Sequence, residues 1–178
     1  MNGKALGAAT LLALAGCGPA MVAGGTAAGA PVRLMNAQGQ SVGSAVFTAT
    51  TNGVRINVNV AGLPAGTHGI HVHEVGSCDA PEFTTAGGHL NPTTRQHGLE
   101  NPQGPHAGDL PNLMVDSEGR GEAEFVNERM SLNPTAANSL FRSGGTSLVI
   151  HAQPDDQRTS PSGNSGARIA CGVISPRV

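Results

Sequence analysis

"SAVFTATTNGVRINVNVAGL", residues 44–63, alternates apolar and polar side chains on both sides of Asn52-Gly53. A period of two sends one face to a core and the other to water, and Asn-Gly between two such runs signals a hairpin. The same period returns further along the chain, in "THGIHVHE" (67–74) and in "NLMVDSEGRGEAEFV" (112–126), where Asp116–Gly119 reads as the turn. It appears again in "SLVIHA" (147–152) and "ARIACGVI" (167–174). "PTAANSLFRS" (134–143) reads as a short helix. No internal repeat is present. Many short strands separated by turns predict an all-β sandwich or barrel.

Composition agrees with that class. The 178 residues suit one domain; 26 are glycine and 12 proline, Trp and Tyr are absent, and aromatic rings come only from four Phe. A core of Val, Ile and Leu with frequent turns follows. The formal charge is −2 with no basic stripe, which argues against nucleic acid as a partner.

The N-terminal stretch stands apart. Lys4 precedes the apolar run "ALGAATLLALAGC" (5–17), which is too short to span a bilayer. It ends in "LAGC", Leu14 to Cys17, which resembles the bacterial lipobox, where cleavage precedes a cysteine that then receives diacylglycerol. Residues 1–16 are accordingly read as a lipoprotein signal peptide, against an ordinary cleaved signal as the alternative. Residues 17–31 are read as a Gly/Ala-rich tether from lipidated Cys17, and residues 32–178 as the domain. The expected location is the periplasm or cell surface, anchored to a membrane. With Cys17 lipidated, Cys78 and Cys171 remain as an even pair, free to form one disulfide in an oxidising compartment.

In "GIHVHE" (69–74), His71 and His73 share one strand face and Ile70 and Val72 the other. Such imidazoles are either solvated or ligands of a metal whose other partners lie elsewhere. Residues 75–111 form a long Gly/Pro-rich loop, and "GGHLNPTTRQHGLENPQGPHAGD" (87–109) carries His89, His97, His106 and Asp109. A loop of this length needs something other than a core to order it. Imidazole and carboxylate suit Zn²⁺, and imidazole also suits Cu²⁺. A second irregular loop spans "QPDDQRTSPSGNSG" (153–166).

The segments "GIHVHEVGSC", "AGGHLNP", "RQHG", "PHAGDLPNL", "LVIHAQPDD" and "GNSGARIACGVI" together resemble the bacterial periplasmic copper/zinc superoxide dismutases, in family order from about Val32 to the C-terminus. The resemblance implies a Greek-key β-barrel or sandwich, immunoglobulin-like, of about eight strands with a long metal-binding loop and a channel loop. It implies copper on His71, His73, His89 and His151, and zinc on His89, His97, His106 and Asp109. His89 would bridge the two metals as an imidazolate and take up a proton when copper is reduced. Arg168 matches the arginine beside the copper channel, Asp155 the carboxylate linking copper and zinc histidines, and Cys78–Cys171 the intrasubunit disulfide. The implied reaction is disproportionation of superoxide to O₂ and H₂O₂.

Some positions depart from the family or match nothing in it. Ile70 and Leu90 stand where phenylalanine is common, and the scarcity of aromatic residues favours a monomer over a dimer. His68 matches no ligand and is read as a surface residue; Arg158 is read as an exposed arginine. Without Lys4 the chain keeps nine Arg against twelve acidic residues, so attraction of an anion falls to a local site, Arg168 with copper. A non-catalytic copper or zinc binding module of the same fold is the alternative. Some relatives of the family have lost copper ligands or the channel arginine, and here His71, His73, His89, His151 and Arg168 are all present.

Overall fold

The computed structural model describes Met1 and residues 31–175; the signal, Cys17 and tether readings lie outside the described residues. Among the described residues nine strands are formed: β1 Val32–Asn36, β2 Ser41–Thr50, β3 Gly53–Ala61, β4 Gly66–His68, β5 Ile70–His73, β6 Leu113–Val115, β7 Arg120–Asn127, β8 Thr146–His151 and β9 Arg168–Ile174. Seven pair in the order β5-β8-β9-β1-β2-β3-β7, every pair antiparallel. The three-residue strands β4 and β6 pair with each other, and the break at Gly69 between β4 and β5 raises the count from eight to nine. Only Gly69 separates β4 from β5, and a four-residue turn separates β6 from β7. The small sheet therefore ties together the two outer strands of the large one and turns it into a Greek-key half-barrel.

The hairpin of β2 and β3 sits where the alternation places it, with one difference. Thr50 pairs with Gly53, so Thr51 and Asn52 make the turn and Gly53 already belongs to β3. A Cβ there would run into the Asn127 carbonyl of β7, so the glycine serves close strand packing rather than turn geometry. Alternate residues of β3 (Val54, Ile56, Val58 and Val60) are buried between exposed Arg55, Asn57 and Asn59. They pack with Leu34, Phe47, Phe125, Leu148, Ile150 and the β5 pair Ile70 and Val72 in one core. Ile70 and Leu90 are both fully buried there, so aliphatic side chains fill the positions where phenylalanine is common.

The helix expected over 134–143 is not formed. That stretch is a series of turns, with Ser131 bridged to Ser139, because Asn133 and Ser139 side chains bind nearby main-chain N–H groups and compete with helical bonds. Among the described residues the one helical element is a 3₁₀ turn, Thr84–Ala86. Phe83 and Ala86 of that region bury against Val149 and Cys171 in a second, smaller cluster.

Candidate metal centre

The outer edge of β5 is covered by two loop segments that bond to it like short strands. Val72 N–H donates to Gly108, Leu90 N–H to Val72, and Glu74 N–H to Gly88, at 2.8–2.9 Å. These bonds bridge His73 to His89 and His71 to Asp109. Strand alternation aims His71 and His73 away from the core, and His151, at the end of β8, faces the same way. All three are buried (0, 1 and 3 % exposed), so the solvated reading of "GIHVHE" fails.

Among the described residues three groups have their donor atoms within 4.8 Å of one another: two of four members, and His71, His97 and Asp155 between them. The first is His71, His73, His89 and His151; the second is His89, His97, His106 and Asp109. His89 belongs to both, its ring centroid 4.0 Å from that of His71 and 5.1 Å from that of His97.

In the first group every ring uses one nitrogen for the protein. His73 Nδ1 donates to Gly87 O at 2.9 Å and His151 Nδ1 to Gly166 O at 3.2 Å. His71 Nε2 donates to Asp155 at 2.7 Å, and His89 Nδ1 lies 2.9 Å from Asp109. The other nitrogens (His71 Nδ1, His73 Nε2, His89 Nε2 and His151 Nε2) are buried without any partner. Leaving one buried acceptor unpaired costs roughly 1–3 kcal/mol, and here four converge. Burial also keeps these rings neutral: it lowers His89 to about 4 and His151 to about 3, and it lowers His71 and His73 as well. Neutral rings with bare lone pairs are what a copper ion requires.

The second group is organised by Asp109. Its Oδ1 lies 2.9 Å from His89 Nδ1, 3.0 Å from His97 Nδ1 and 3.3 Å from His106 Nδ1. Its Oδ2 accepts from Gly98 and His106 N–H at 2.9 Å. Burial opposes ionisation, but the histidines and main-chain donors outweigh it and hold the carboxyl far below its usual range. His97 is different from the rings of the first group. Burial lowers it, yet bonds to Asp109 and Asp155 dominate and raise it to about 9. Three imidazoles and one carboxylate make a closed set for zinc, with no vacancy for a hydrolytic water.

The model of the copper/zinc superoxide dismutase (SODC) family matches residues 41–174. The chain belongs to the copper/zinc superoxide dismutase family. It is 47 % identical over 146 residues to superoxide dismutase [Cu-Zn] 2 of Aquifex aeolicus, covering 82 % of this chain and 85 % of that one. It is 40 % identical over 138 residues to superoxide dismutase [Cu-Zn] of Caulobacter vibrioides, covering 76 % and 79 %. Among solved structures, the SOD-like protein of Bacillus subtilis superposes with a TM-score of 0.79 at 40 % identity, over 83 % of this chain and 99 % of that one. The family places the chain among oxidoreductases that use copper and zinc, and both ligand groups suit those ions.

Around the centre, Asp155 touches both groups, with Oδ2 on His71 Nε2 and Oδ1 at 3.0 Å from His97 Nε2. Arg168 donates from Nη1 to Phe83 O at 2.6 Å and from Nη2 to Gly87 O at 2.7 Å. Gly87 O thus receives both Arg168 and His73. The disulfide Cys78–Cys171 joins the long loop to β9, three residues beyond Arg168. Arg158 is exposed and engages Glu100 with Nε at 2.9 Å and Nη2 at 2.5 Å, tying the two loops at their surface.

His68 is not a surface residue. It is 3 % exposed, its Nδ1 2.7 Å from the His151 carbonyl and its Nε2 2.8 Å from the Pro64 carbonyl. Gly69 N–H and His151 N–H bond across to Gln153 and Gly69, which draws this segment beneath the end of β8. Other supports escaped the sequence reading. Asn112 exchanges two 2.8 Å bonds with the Asp155 main chain, and Asn127 donates to Ala107 O and Asp109 O. A Cβ at Gly163 would collide with the Asp155 carboxylate. Asparagine and glycine are common enough in loops that spacing alone gave no signal for these three.

Proposed function

We propose that the protein is a superoxide dismutase of the cell envelope. His71, His73, His89 and His151 hold copper; His89, His97, His106 and Asp109 hold zinc. The observation that carries this reading is the set of four buried imidazole nitrogens without partners, beside a closed zinc set that shares His89. When bound, copper supplies a one-electron couple and zinc a fixed charge without redox chemistry.

The chain's own residues do the rest. Two superoxide ions and two protons become O₂ and H₂O₂, so the site must attract an anion and deliver protons. Arg168, anchored on Phe83 O and Gly87 O, presents the nearby positive charge and holds the incoming anion. His89 would hold a proton at Nε2 between the half-reactions, while its Nδ1, on the Asp109 side of the ring, would stay engaged in the zinc set and fix the ring. Asp155 keeps His71 and His97 in register through one carboxylate.

The location in the envelope is part of the same proposal. The "LAGC" motif supports residues 1–16 as a lipoprotein signal and Cys17 as a membrane anchor, followed by a tether to residue 31 and the domain from Val32. A Cys78–Cys171 disulfide supports an oxidising compartment. The domain acts as a monomer on superoxide and binds no nucleic acid. Cys17→Ser should abolish lipid labelling; unchanged labelling would remove the anchor. Copper- and zinc-loaded protein should accelerate superoxide decay, and fully loaded protein without that activity would leave only the non-catalytic metal-binding reading.

A further inference from the structure

We propose that the cleft between the zinc-side loop and the segment after β7 is a site for a phosphate-type dianion, which clamps that loop shut. The cleft holds about 410 Å³, with Arg95 and Arg129 on its walls and Pro92, Thr93, Pro105, Ala107, Ala137 and Asn138 lining the remainder. It does not include Arg168 or any metal ligand.

Neither guanidinium is salt-bridged to a carboxylate. Among the described residues, arginine–carboxylate pairs within 4.0 Å involve Arg55, Arg120 and Arg158, and neither Arg95 nor Arg129. Arg95 Nη2 donates to Gly104 O at 2.6 Å, and Arg129 donates from Nε to His106 O at 3.3 Å and from Nη2 to Asp109 O at 3.4 Å. These partners are neutral carbonyls, so several N–H donors stay free on each guanidinium, although Asp109 and Glu128 lie near enough to act on the Arg129 charge. Two forked cations facing one cleft match the oxygens of a phosphate dianion, and the apolar walls admit a small organic body attached to it.

The two arginines are also held in advance. Asn91 bonds the main chain of Arg95 through both its side-chain amide atoms, at 2.9 and 3.0 Å. Asn127 and Asn138 hold the N–H and the carbonyl of Arg129, at 2.8 and 2.9 Å. Because the guanidinium groups grip the carbonyls of Gly104, His106 and Asp109, an anion spanning them binds only the closed loop. It therefore opposes the opening that zinc needs to leave.

Calorimetric titration of metal-loaded protein with inorganic phosphate, at ionic strength held constant with chloride, tests the site. Saturable binding is expected in the wild type, weakened at least tenfold in Arg95→Gln and in Arg129→Gln. Glycerol 3-phosphate in the same cell distinguishes a phosphate ester, which would bind more tightly, from the free ion. At ten times the dissociation constant, phosphate should slow zinc transfer to a chelator by about tenfold in the wild type and not in the variants. Absence of binding, or binding retained in both variants, would overturn the site; unchanged zinc transfer would overturn the clamp. If Arg129→Gln does not fold, Arg95→Gln on its exposed loop decides. The clamp rests on the zinc assignment, but the heat of phosphate binding does not. A wrong assignment would show in metal analysis while the titration remained readable.

Discussion

At the β2–β3–β7 end of the molecule, Phe47, Val54, Ile56, Val58 and Phe125 fill the interior, and polar side chains lie outside. On the face of β5 and β8 turned away from that core the packing is polar: six histidines, Asp109 and Asp155 are buried between the strands and two loops. The first region is ordered by apolar burial and needs no ligand. The second packs groups that are costly to bury alone; one disulfide and buried hydrogen bonds hold them, and on the proposed assignment ligand bonds to metal would complete that order. A protein can thus present a rigid reactive site on a loop when the loop's own chemistry supplies the cohesion.

The sharpest way to break that contrast is to cut the disulfide. Cys171→Ser releases a loop closed over 93 residues and should destabilise by about 4–5 kcal/mol in the chain-entropy model, measured by denaturant unfolding. Exchange of main-chain amides should rise over residues 75–111 before it rises in β2 and β3. Phe47→Ala attacks the other end. It should cost about 3–5 kcal/mol while the metal content of the folded fraction stays at the wild-type level. Loss of metal from folded Phe47→Ala would show that the two regions are not separable.

What the sequence made legible follows the same division. The apolar alternation of residues 44–63 located β2 and β3 because a half-buried hairpin must write its pattern into the chain. The ligand histidines stood out because imidazole is rare and they cluster. His68 was misread for the same reason: a histidine outside the ligand pattern looks solvated, and only β4 and its neighbours bury it. The nitrogens left bare could not be read from residue names, since they depend on which carbonyl each ring meets. Nor could Asn112 and Asn127, whose role is set by main-chain positions far along the chain.

Smaller effects sharpen the comparison. Asp155→Asn keeps the side chain's size but weakens its hold on His71 and His97, and should lower metal affinity by about 10–100-fold with little change in the sheet's stability. Competition with a chelator reads it; unaltered affinity would make Asp155 a packing residue. Arg158→Ala removes only an exposed pair with Glu100 and should change stability by about 0–1 kcal/mol, with unchanged metal content.

Metal analysis of His89→Ala tests the shared ligand most directly. Both ions should be disturbed in purified, folded protein, and superoxide decay should fall by at least about a hundredfold, beyond the loss of a supporting group. A folded variant that retained both copper and zinc as the wild type does would contradict the account.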